Sequence, residues 1–333
     1  MPKISELGHL GKAVRQSLAR GAPDIDLDTL PQSLDLSPDK ITENVLSINS
    51  QTPDDRQRFV NEALVKHMHD FVREVSLTTN EWMNAIEYLT RVGQTCTDLR
   101  QEFILLSDVF GVSALVDIIN NPKPEGATEG TVLGPFFVED AKIIDNGESI
   151  ANEGRGEYML VKGRILDLSG RPVANCAIET WETDQDGFYD TQYTDYNADC
   201  RGKLYSDQEG YYVFRAVLPV SYPIPNDGPV GQLLASMNRH VFRPAHLHMM
   251  FQAPGFAQLI TSLYFTGDTF LTSDAVFGVK SSLIVEPRLI TEEAEATKCG
   301  FKNPPFYLVE KDFVLVSEQE AEEARERVRT QGP

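Results

Sequence analysis

Two histidines stand one residue apart in an apolar stretch of the chain, the segment RPAHLHMM at positions 243–250. The surrounding residues are typical of a strand, in which side chains at positions i and i+2 project from the same face. His246 and His248 would therefore converge, with Leu247 buried on the opposite face. Two converging imidazoles are suited to bind one metal ion, and the alternative is a pair of ordinary buried histidines.

A second pair with the same spacing, His67 and His69, lies in the segment KHMHD. This segment belongs to a helical pattern, in which two residues correspond to about 200° of rotation. The two side chains therefore diverge, and we interpret them as ordinary helix residues. The same spacing predicts a metal pair only where the local structure is a strand.

Further metal ligands have to come from elsewhere in the chain. A carboxylate would complete a two-histidine-one-carboxylate site, and a third histidine would complete a catalytic zinc site. His240 is near in sequence, but its loop does not indicate its direction. Tyrosine ligands would require a strongly acidic ion such as Fe(III), because a free tyrosine has a pKa of about 10. Tyrosines also favour strands, so spacing alone does not decide. Seven crowd into positions 189–222, just upstream of the pair: Tyr189, Tyr193, Tyr196, Tyr205, Tyr211, Tyr212 and Tyr222.

The composition excludes several classes of protein. The 333 residues carry a net charge of −20, which argues against nucleic acid or an anionic membrane as a partner. The N-terminus lacks the apolar core of a signal peptide, and no window approaches the roughly 18 apolar residues of a membrane span. We expect a cytoplasmic protein without membrane insertion. No CxxC pair is present, so free thiols are favoured over a zinc finger, and two disulfides stay open: Cys96, Cys176, Cys200 and Cys299.

The first part of the chain predicts helices. Residues 1–50 are polar and predict an N-terminal extension. Residues 51–125 follow a helical period, with Thr79 as the expected N-cap of the second helix and the apolar segment LRQEFILLSDVFGVSALVDIIN as a third helix or helix pair. The first helix repeats apolar residues at spacings of three and four along one face: Phe59, Leu64, Val65, Met68 and Phe71.

The pattern changes to short strands from residue 126 to 318. The segments are rich in β-branched and aromatic residues and are mostly bounded by Gly, Pro or Asp. This spacing predicts an antiparallel β-sandwich, which makes the protein mainly β with an α-helical N-terminal domain. Residues 319–333 predict a charged C-terminal helix or tail. Asp184, Asp186 and Gly187 in the segment DQDG do not fit a calcium loop and predict a turn before Tyr189.

Three segments together resemble the intradiol ring-cleavage dioxygenases, which are non-haem Fe(III) enzymes. They are GFYD (187–190), LPVSYPIP (218–225) and RPAHLHMMFQAPGF (243–256). The resemblance implies an Fe(III) ion bound by Tyr189, Tyr222, His246 and His248. It extends from about residue 40 to 315 and implies that the helical domain forms a homodimer interface able to hold lipid.

Other segments look most like the hydroxyquinol (1,2,4-trihydroxybenzene) 1,2-dioxygenase branch: QEFILLSDVFGVSALVDIIN, ATEGTVLGPFF and LTSDAVFGVK. Ser262 stands where catechol-cleaving relatives carry a glutamine, which fits this branch better. Asp108 would accept a hydrogen bond from the third ring hydroxyl, and the alternative is an ordinary helix-end carboxylate. The implied substrate pocket is lined by Leu105, Asp108, Val132, Leu133, Gly134, Pro223, Ile224 and Val276.

The resemblance also implies the reaction. Hydroxyquinol and O2 would give 3-hydroxy-cis,cis-muconate, which tautomerises to maleylacetate, without an organic cofactor. Tyr222 would take a proton from the substrate. Arg243 would stabilise negative charge on the ring, unless it forms only a structural ion pair. Catechol, giving cis,cis-muconate, is the alternative substrate.

Two other classes of protein share parts of this pattern. The strands alone are similar to those of prealbumin-like modules, which bind ligands without catalysis. Such a module would have no use for the paired histidines or for the segment SYPIP. A zinc hydrolase could use His246 and His248 with a carboxylate, but it would leave Tyr189 and Tyr222 without a role.

Overall fold

The computed structural model describes residues 3–30, 36–98, 100–194, 197–301 and 303–331. The chain divides into two compact units, Met1–Glu87 and Tyr88–Pro333. The boundaries expected from the sequence, 1–50, 51–125, 126–318 and 319–333, stay a prediction. Within the described ranges, no helix is both long enough and apolar enough to cross a bilayer.

The first unit is helical. It contains α1 (Lys12–Ala19), α2 (Ile41–Asn49), α3 (Asp55–Glu74) and the start of α4 (Thr79–Thr95), which continues into the second unit. His67 and His69 both lie in α3, as predicted, and they do not form a pair. His69 Nδ1 is 2.9 Å from Thr42 Oγ1 on α2, whereas His67 is exposed.

The cap of α4 lies one residue earlier than expected. Thr78 Oγ1 accepts a hydrogen bond from the backbone N–H of Glu81 (3.3 Å), and the Glu81 carboxylate accepts one from the Thr78 N–H (2.9 Å). This is a capping box, which has Glu or Gln three positions after the cap. Thr79 was the wrong choice because Trp82 follows it at that spacing.

Short helices and the strands make up the second unit. The apolar segment after α4 forms a helix pair, α5 (Glu102–Val109) and α6 (Val112–Asn120), separated at Gly111, whose φ is +72°. The predicted charged C-terminal helix is present. The remaining helices are α7 (Pro229–Ser236), α8 (Glu293–Lys298) and α9 (Glu318–Gln331).

Two five-stranded sheets form the predicted sandwich. In the first sheet β1 pairs with β4 on one side and with β11 and β12 on the other, and β10 extends β11. The order of the second sheet is β3-β2-β7-β8-β9, and β5 and β6 form a separate two-stranded pair. The strands are β1 (Tyr158–Asp167), β2 (Ala177–Glu182), β3 (Arg201–Tyr205), β4 (Tyr211–Val217), β5 (Tyr222–Pro223), β6 (Phe242–Arg243), β7 (His246–Gln252), β8 (Leu259–Phe265), β9 (Ile284–Val285), β10 (Arg288–Ile290), β11 (Phe306–Glu310) and β12 (Phe313–Leu315).

The sheets are mixed rather than purely antiparallel. β1 runs parallel to β11 and β12, and β8 runs parallel to β9, whereas the other described pairings between named strands are antiparallel. β11 and β12 return to β1 only after the whole second sheet, so no tight hairpin fixes their direction. The sandwich and the preceding helices agree with the sequence prediction.

The hydrophobic core lies between the two sheets, and alternate residues of β7 face toward this core and away from it. Leu247, Met249 and Phe251 belong to this core, and none of them is exposed. The alternate residues, His246 and His248, lie on the opposite, outer face of the second sheet, since side chains alternate along a strand. The outer face of β7 therefore carries the site, and its inner face carries the core.

The four cysteines are free thiols in the structure, as the sequence favoured. Cys176 and Cys200 are buried, and burial raises the pKa of both thiols, that of Cys176 to about 12.

Candidate metal centre

The outer face of β7 brings the two histidines together. The Nε2 atoms of His246 and His248 are 3.1 Å apart, and both rings are buried. Leu247 points into the core on the other face, as the strand period predicted. The convergence expected from the i, i+2 spacing is therefore confirmed.

Two tyrosine hydroxyls complete the cluster. Tyr189 Oη is 3.3 Å from His246 Nε2 and 3.4 Å from Tyr222 Oη. Tyr189 follows the segment DQDG, and Tyr222 begins β5, directly opposite Arg243 on β6. Both phenol rings are buried, and they meet edge to face.

The predicted turn before Tyr189 is present. The Asp184 carboxylate accepts backbone N–H groups of Asp186 and Phe188, and Gly187 has a φ of +80°, a conformation that favours glycine. This turn places the Tyr189 side chain at the outer face of the second sheet.

The Tyr189 ring is held from its other side by an aromatic residue and a buried ion pair. Phe136 stacks on it with ring centroids 4.4 Å apart. Arg201 pairs with Asp190, the next residue in the chain, and also donates to the Phe136 carbonyl (3.1 Å). One guanidinium therefore fixes both the backbone after Tyr189 and the ring that covers it.

The other described tyrosines upstream of the pair lie elsewhere. Tyr193 donates to Asp184, and Tyr212 donates to the Lys311 carbonyl, while Tyr205 and Tyr211 are exposed. Tyr196 lies outside the described residues. His240 is exposed, and its Nδ1 accepts the Phe242 N–H at 3.1 Å, so it does not join the paired histidines.

Hydrogen bonds orient the two imidazoles. His246 Nδ1 is 2.8 Å from the Pro244 carbonyl, which can only accept, so the proton lies on Nδ1 and the Nε2 lone pair faces the cluster. His248 Nδ1 is 3.1 Å from Ser262 Oγ, which in turn is 3.2 Å from Thr131 Oγ1. Burial, and then nearby positive charge, lowers the pKa of both imidazoles well below the usual range, which favours the neutral form that metals require.

Close packing surrounds His248. The Trp181 ring stacks on its imidazole with centroids 4.8 Å apart and planes 8° from parallel. Gly134, with a φ of +78°, approaches from the other direction, where an added Cβ would be 3.3 Å from His248 Cε1. Any larger residue at position 134 would press on the imidazole as well as strain the backbone.

The donor set fits a metal ion. Neighbouring donor atoms of the two tyrosines and two histidines are 3.1–3.4 Å apart. First-row ions bind nitrogen and oxygen at about 2.0–2.2 Å, which separates tetrahedral donors by about 3.3–3.6 Å. Burial raises the pKa of Tyr189 well above the usual range, so its phenolate form needs a strongly acidic ion. Fe(III) meets that requirement.

Arg243 lies beside the cluster and is buried. Its Nη1 is 3.1 Å from His246 Nε2 and 3.4 Å from Tyr222 Oη, while Asp274 accepts from its other edge. Tyr264, paired with His246 across β7 and β8, accepts from Arg243 Nη2 at 3.4 Å. The ion pair expected as an alternative role is therefore present together with the contact to the site.

Among the neighbours of the site that escaped the sequence analysis are Trp181, Tyr264 and Asp274. The strand period could have found Tyr264, because it follows Ser262 by two residues on the same face of β8. Trp181 is likewise the outer-face residue opposite His248 on β2. Asp274 has no such signal, since it sits in a loop.

The residues expected to line a substrate pocket fall into two groups. Leu105, Ile224 and Val276 pack in one apolar cluster with Val109. Leu133 packs instead against the cluster that contains Trp181, Tyr189 and Tyr222, and Pro223 follows Tyr222 on β5. Val132 is half-buried beside Leu133.

Asp108 lies near the end of α5, next to Val109 of the first cluster. Burial raises the pKa of its carboxyl, against the effects of a hydrogen bond from Ser113 and the positive charge of Arg243. The influence of Arg243 brings Asp108 into the electrostatic surroundings of the site. Its role toward a substrate stays a prediction.

Comparison with known families gives two matches that together cover most of the chain. Residues 54–128 match the family described as catechol dioxygenase N terminus, and residues 132–305 match the family described as dioxygenase.

Individual relatives extend this result. An intradiol ring-cleavage dioxygenase of Aspergillus niger is 50% identical over 90% of this chain and 90% of its own length. A hydroxyquinol 1,2-dioxygenase of a Rhizobium species is 46% identical over 83% of this chain and 95% of its own. The crystal structure of hydroxyquinol 1,2-dioxygenase from Pseudomonas putida has a TM-score of 0.80 and 43% identity, and it covers 84% of this chain and 99% of that one.

Proposed function

The chain belongs to the intradiol ring-cleavage dioxygenases, and on that premise we propose that its substrate is hydroxyquinol. The bond between the carbons bearing the 1- and 2-hydroxyls breaks, and both atoms of O2 enter the product, 3-hydroxy-cis,cis-muconate, which tautomerises to maleylacetate. The convergence of two tyrosine hydroxyls and two imidazole nitrogens beside Arg243 is the observation that supports ring cleavage at this site. The hydroxyquinol-cleaving relatives support this substrate.

Tyr189, Tyr222, His246 and His248 would hold the metal ion, which we propose is Fe(III). The neutral imidazoles and the buried phenols are the donor set on which this assignment rests. When bound, ferric iron supplies a Lewis acid that favours the deprotonated substrate and makes the ring reactive toward O2.

Two side chains have further roles in the reaction. Tyr222 Oη, as a phenolate, would take a proton from a substrate hydroxyl. Its oxygen lies 3.4 Å from Tyr189 Oη and 3.4 Å from Arg243 Nη1. Arg243 Nη1 would stabilise the negative charge on the ring, since its N–H is already aimed at the cluster from a buried, preorganised position.

The substrate would lie against the two apolar groups described above. Leu105, Ile224 and Val276, which pack together, would form one wall. The other would be formed by Leu133, which packs against the cluster of Trp181, Tyr189 and Tyr222, together with Val132, Gly134 and Pro223. Asp108 would accept a hydrogen bond from the third hydroxyl, which catechol lacks. This contact is the basis for preferring hydroxyquinol over catechol.

The first experiment is a visible absorption spectrum of the Fe(III)-loaded protein, recorded before and after hydroxyquinol is added without oxygen. We expect a broad tyrosinate-to-iron band that shifts on substrate addition, followed by 3-hydroxymuconate on admitting O2. A Zn²⁺-loaded sample is the control and should be colourless. A protein that remains colourless with Fe(III) would contradict the two-tyrosine site. A coloured protein that cleaves catechol faster than hydroxyquinol would make catechol the preferred substrate, and the proposed type of reaction would stand.

The exposed helices support a homodimer. On α3, Phe59, Leu64, Met68 and Phe71 are each more than half exposed, and Trp82 on α4 is half exposed. A contiguous apolar face of this kind marks an interaction surface. We propose that a second copy of the chain covers it and that lipid is held at the interface, which solvent extraction and mass spectrometry of the purified dimer would detect.

A further inference from the structure

Arg243 divides its hydrogen bonds between two sides. Nε is 3.1 Å from Asp274 Oδ1, and Nη2 is 3.2 Å from Asp274 Oδ2, which forms a two-pronged ion pair along one edge of the guanidinium. Nη1 is left to approach His246 Nε2 and Tyr222 Oη. Because the guanidinium is planar, the pair on one edge determines where Nη1 points.

Asp274 is itself fixed by its own loop. Oδ1 accepts the Val276 N–H at 3.2 Å, and Oδ2 accepts the Gly278 N–H at 2.8 Å. The carboxylate is buried, so each oxygen is shared between the loop backbone and the guanidinium. The backbone of residues 274–278 and the Arg243 guanidinium are therefore held by the same carboxylate.

Gly278 allows this loop to approach closely. An added Cβ would lie 2.8 Å from Arg243 Nη2 and 2.8 Å from Tyr264 Oη. Real Cβ atoms do not make such contacts, so the guanidinium or the Tyr264 ring would have to move. The glycine is required here for space, because its φ does not fall in the left-handed region.

We propose that Asp274 is a positioning residue that aims Arg243 Nη1 at the reacting ring, with Gly278 leaving the room that this geometry needs. The inference rests on the proposed function. A buried arginine without a partner would reorient to find acceptors, since unpaired buried charge is costly. Its Nη1 would then leave the side of the cluster where negative charge develops.

A double-mutant cycle tests whether Asp274 acts through Arg243. The variants are Asp274→Asn, Arg243→Gln and the double variant, assayed as iron-loaded enzyme. We expect Asp274→Asn alone to lower kcat about 100-fold with KM within about threefold, because misplacing a catalytic group by about 1 Å costs that much. In the Arg243→Gln background the same change should alter kcat less than about threefold. Equal losses in both backgrounds would overturn the proposal.

Asp167→Asn is the matched control. Asp167 also accepts two backbone N–H groups of its own loop, those of Ser169 and Arg171, and pairs with an arginine, but at the end of β1. Its kcat should stay within about twofold of the unchanged enzyme, because Asp167 does not contact the metal cluster. A large loss in this variant would mean that loop-capping carboxylates act through the fold alone and would overturn the positioning role.

Crystal structures give a readout that does not depend on turnover. In Asp274→Asn and in Gly278→Ala, Arg243 Nη1 should leave the Tyr222 hydroxyl, whereas in Asp167→Asn it should stay. An unmoved guanidinium in Asp274→Asn would overturn the proposal even if kcat fell. Failure of the unaltered enzyme to cleave either hydroxyquinol or catechol would contradict the proposed function, and the structures would still decide the positioning.

Discussion

Ser262 is the residue through which the second imidazole is oriented. Binding a metal through His248 Nε2 requires the proton on Nδ1, where Ser262 Oγ lies 3.1 Å away. The hydroxyl also contacts Thr131, so rotating it would cost free energy. Partners of this kind typically change metal affinity by about 10- to 100-fold.

Ser262→Ala should therefore weaken iron binding by roughly 10- to 100-fold while the protein stays folded. The measurement is competition with a chelator, followed by the visible band of the iron-loaded protein. Ser236→Ala on the exposed side of α7 is the control and should bind iron normally. Unchanged affinity in Ser262→Ala would show that the Trp181 stack alone orients His248.

Asp108 is the residue that we expect to distinguish hydroxyquinol from catechol. Asp108→Asn should lower kcat/KM for hydroxyquinol relative to catechol by about tenfold or more, because a hydrogen bond to a charged acceptor contributes about 1.5–3 kcal/mol. The pKa of Asp108 is raised, so in the unaltered enzyme this preference should be present above that pKa and fade as the pH falls through it. Asp117→Asn on α6 should leave the ratio unchanged, and an equal loss for both substrates would remove Asp108 from substrate selection.

Residue patterns predict part of this site and not the rest. The approach of His246 to His248 follows from strand spacing alone, and the same spacing at His67 and His69 predicts the opposite outcome in a helix. Tyr189 and Tyr222 were identified only through family resemblance, because any of the seven tyrosines at positions 189–222 could have supplied a phenolate ligand. Asp274 could not be found, because a carboxylate that caps its own loop has the sequence of an ordinary turn and its pairing with Arg243 depends on the fold.

At the scale of elements, β7 connects stability with the site. Leu247 is fully buried between the two sheets, whereas Leu289 on β10 is half exposed. Packing of its inner face, together with pairing to β2 and β8, holds the strand that carries the imidazoles. The mixed pairing of the sheets was not evident from the sequence, since strand direction at long connections leaves no local pattern.

Leu247→Ala should lower the free energy of unfolding by about 2–5 kcal/mol, the usual cost of emptying a buried leucine site. Urea titration of the metal-free protein measures it. Leu289→Ala is the matched control, for which we expect a loss below about 1 kcal/mol. Similar values for the two variants would mean that the core between the sheets relaxes to fill the space.

At the scale of the whole molecule, the exposed apolar face of α3 is the proposed dimer interface. If a second copy covers this face, Leu64→Glu should convert the dimer to monomers by raising the dissociation constant at least about 100-fold, which corresponds to about 2.7 kcal/mol. Sedimentation velocity across a concentration series measures the change. Lys66→Glu changes charge on the same helix at an exposed polar position and should leave the dimer intact. A stable monomer for the unaltered protein would contradict the interface itself.

The alternation of side chains along β7 limits which mutations this strand can tolerate. Substitutions can alter catalysis or stability separately, because His246 and His248 face one way and Leu247, Met249 and Phe251 face the other. Insertion or deletion of a single codon in the strand exchanges the two sets, since the side-chain period is two. Imidazoles would then enter the space between the sheets while leucine and methionine faced the reacting ring. Point mutations in this strand can therefore accumulate on one face at a time, whereas insertion or deletion of one residue would disrupt the core and the site together.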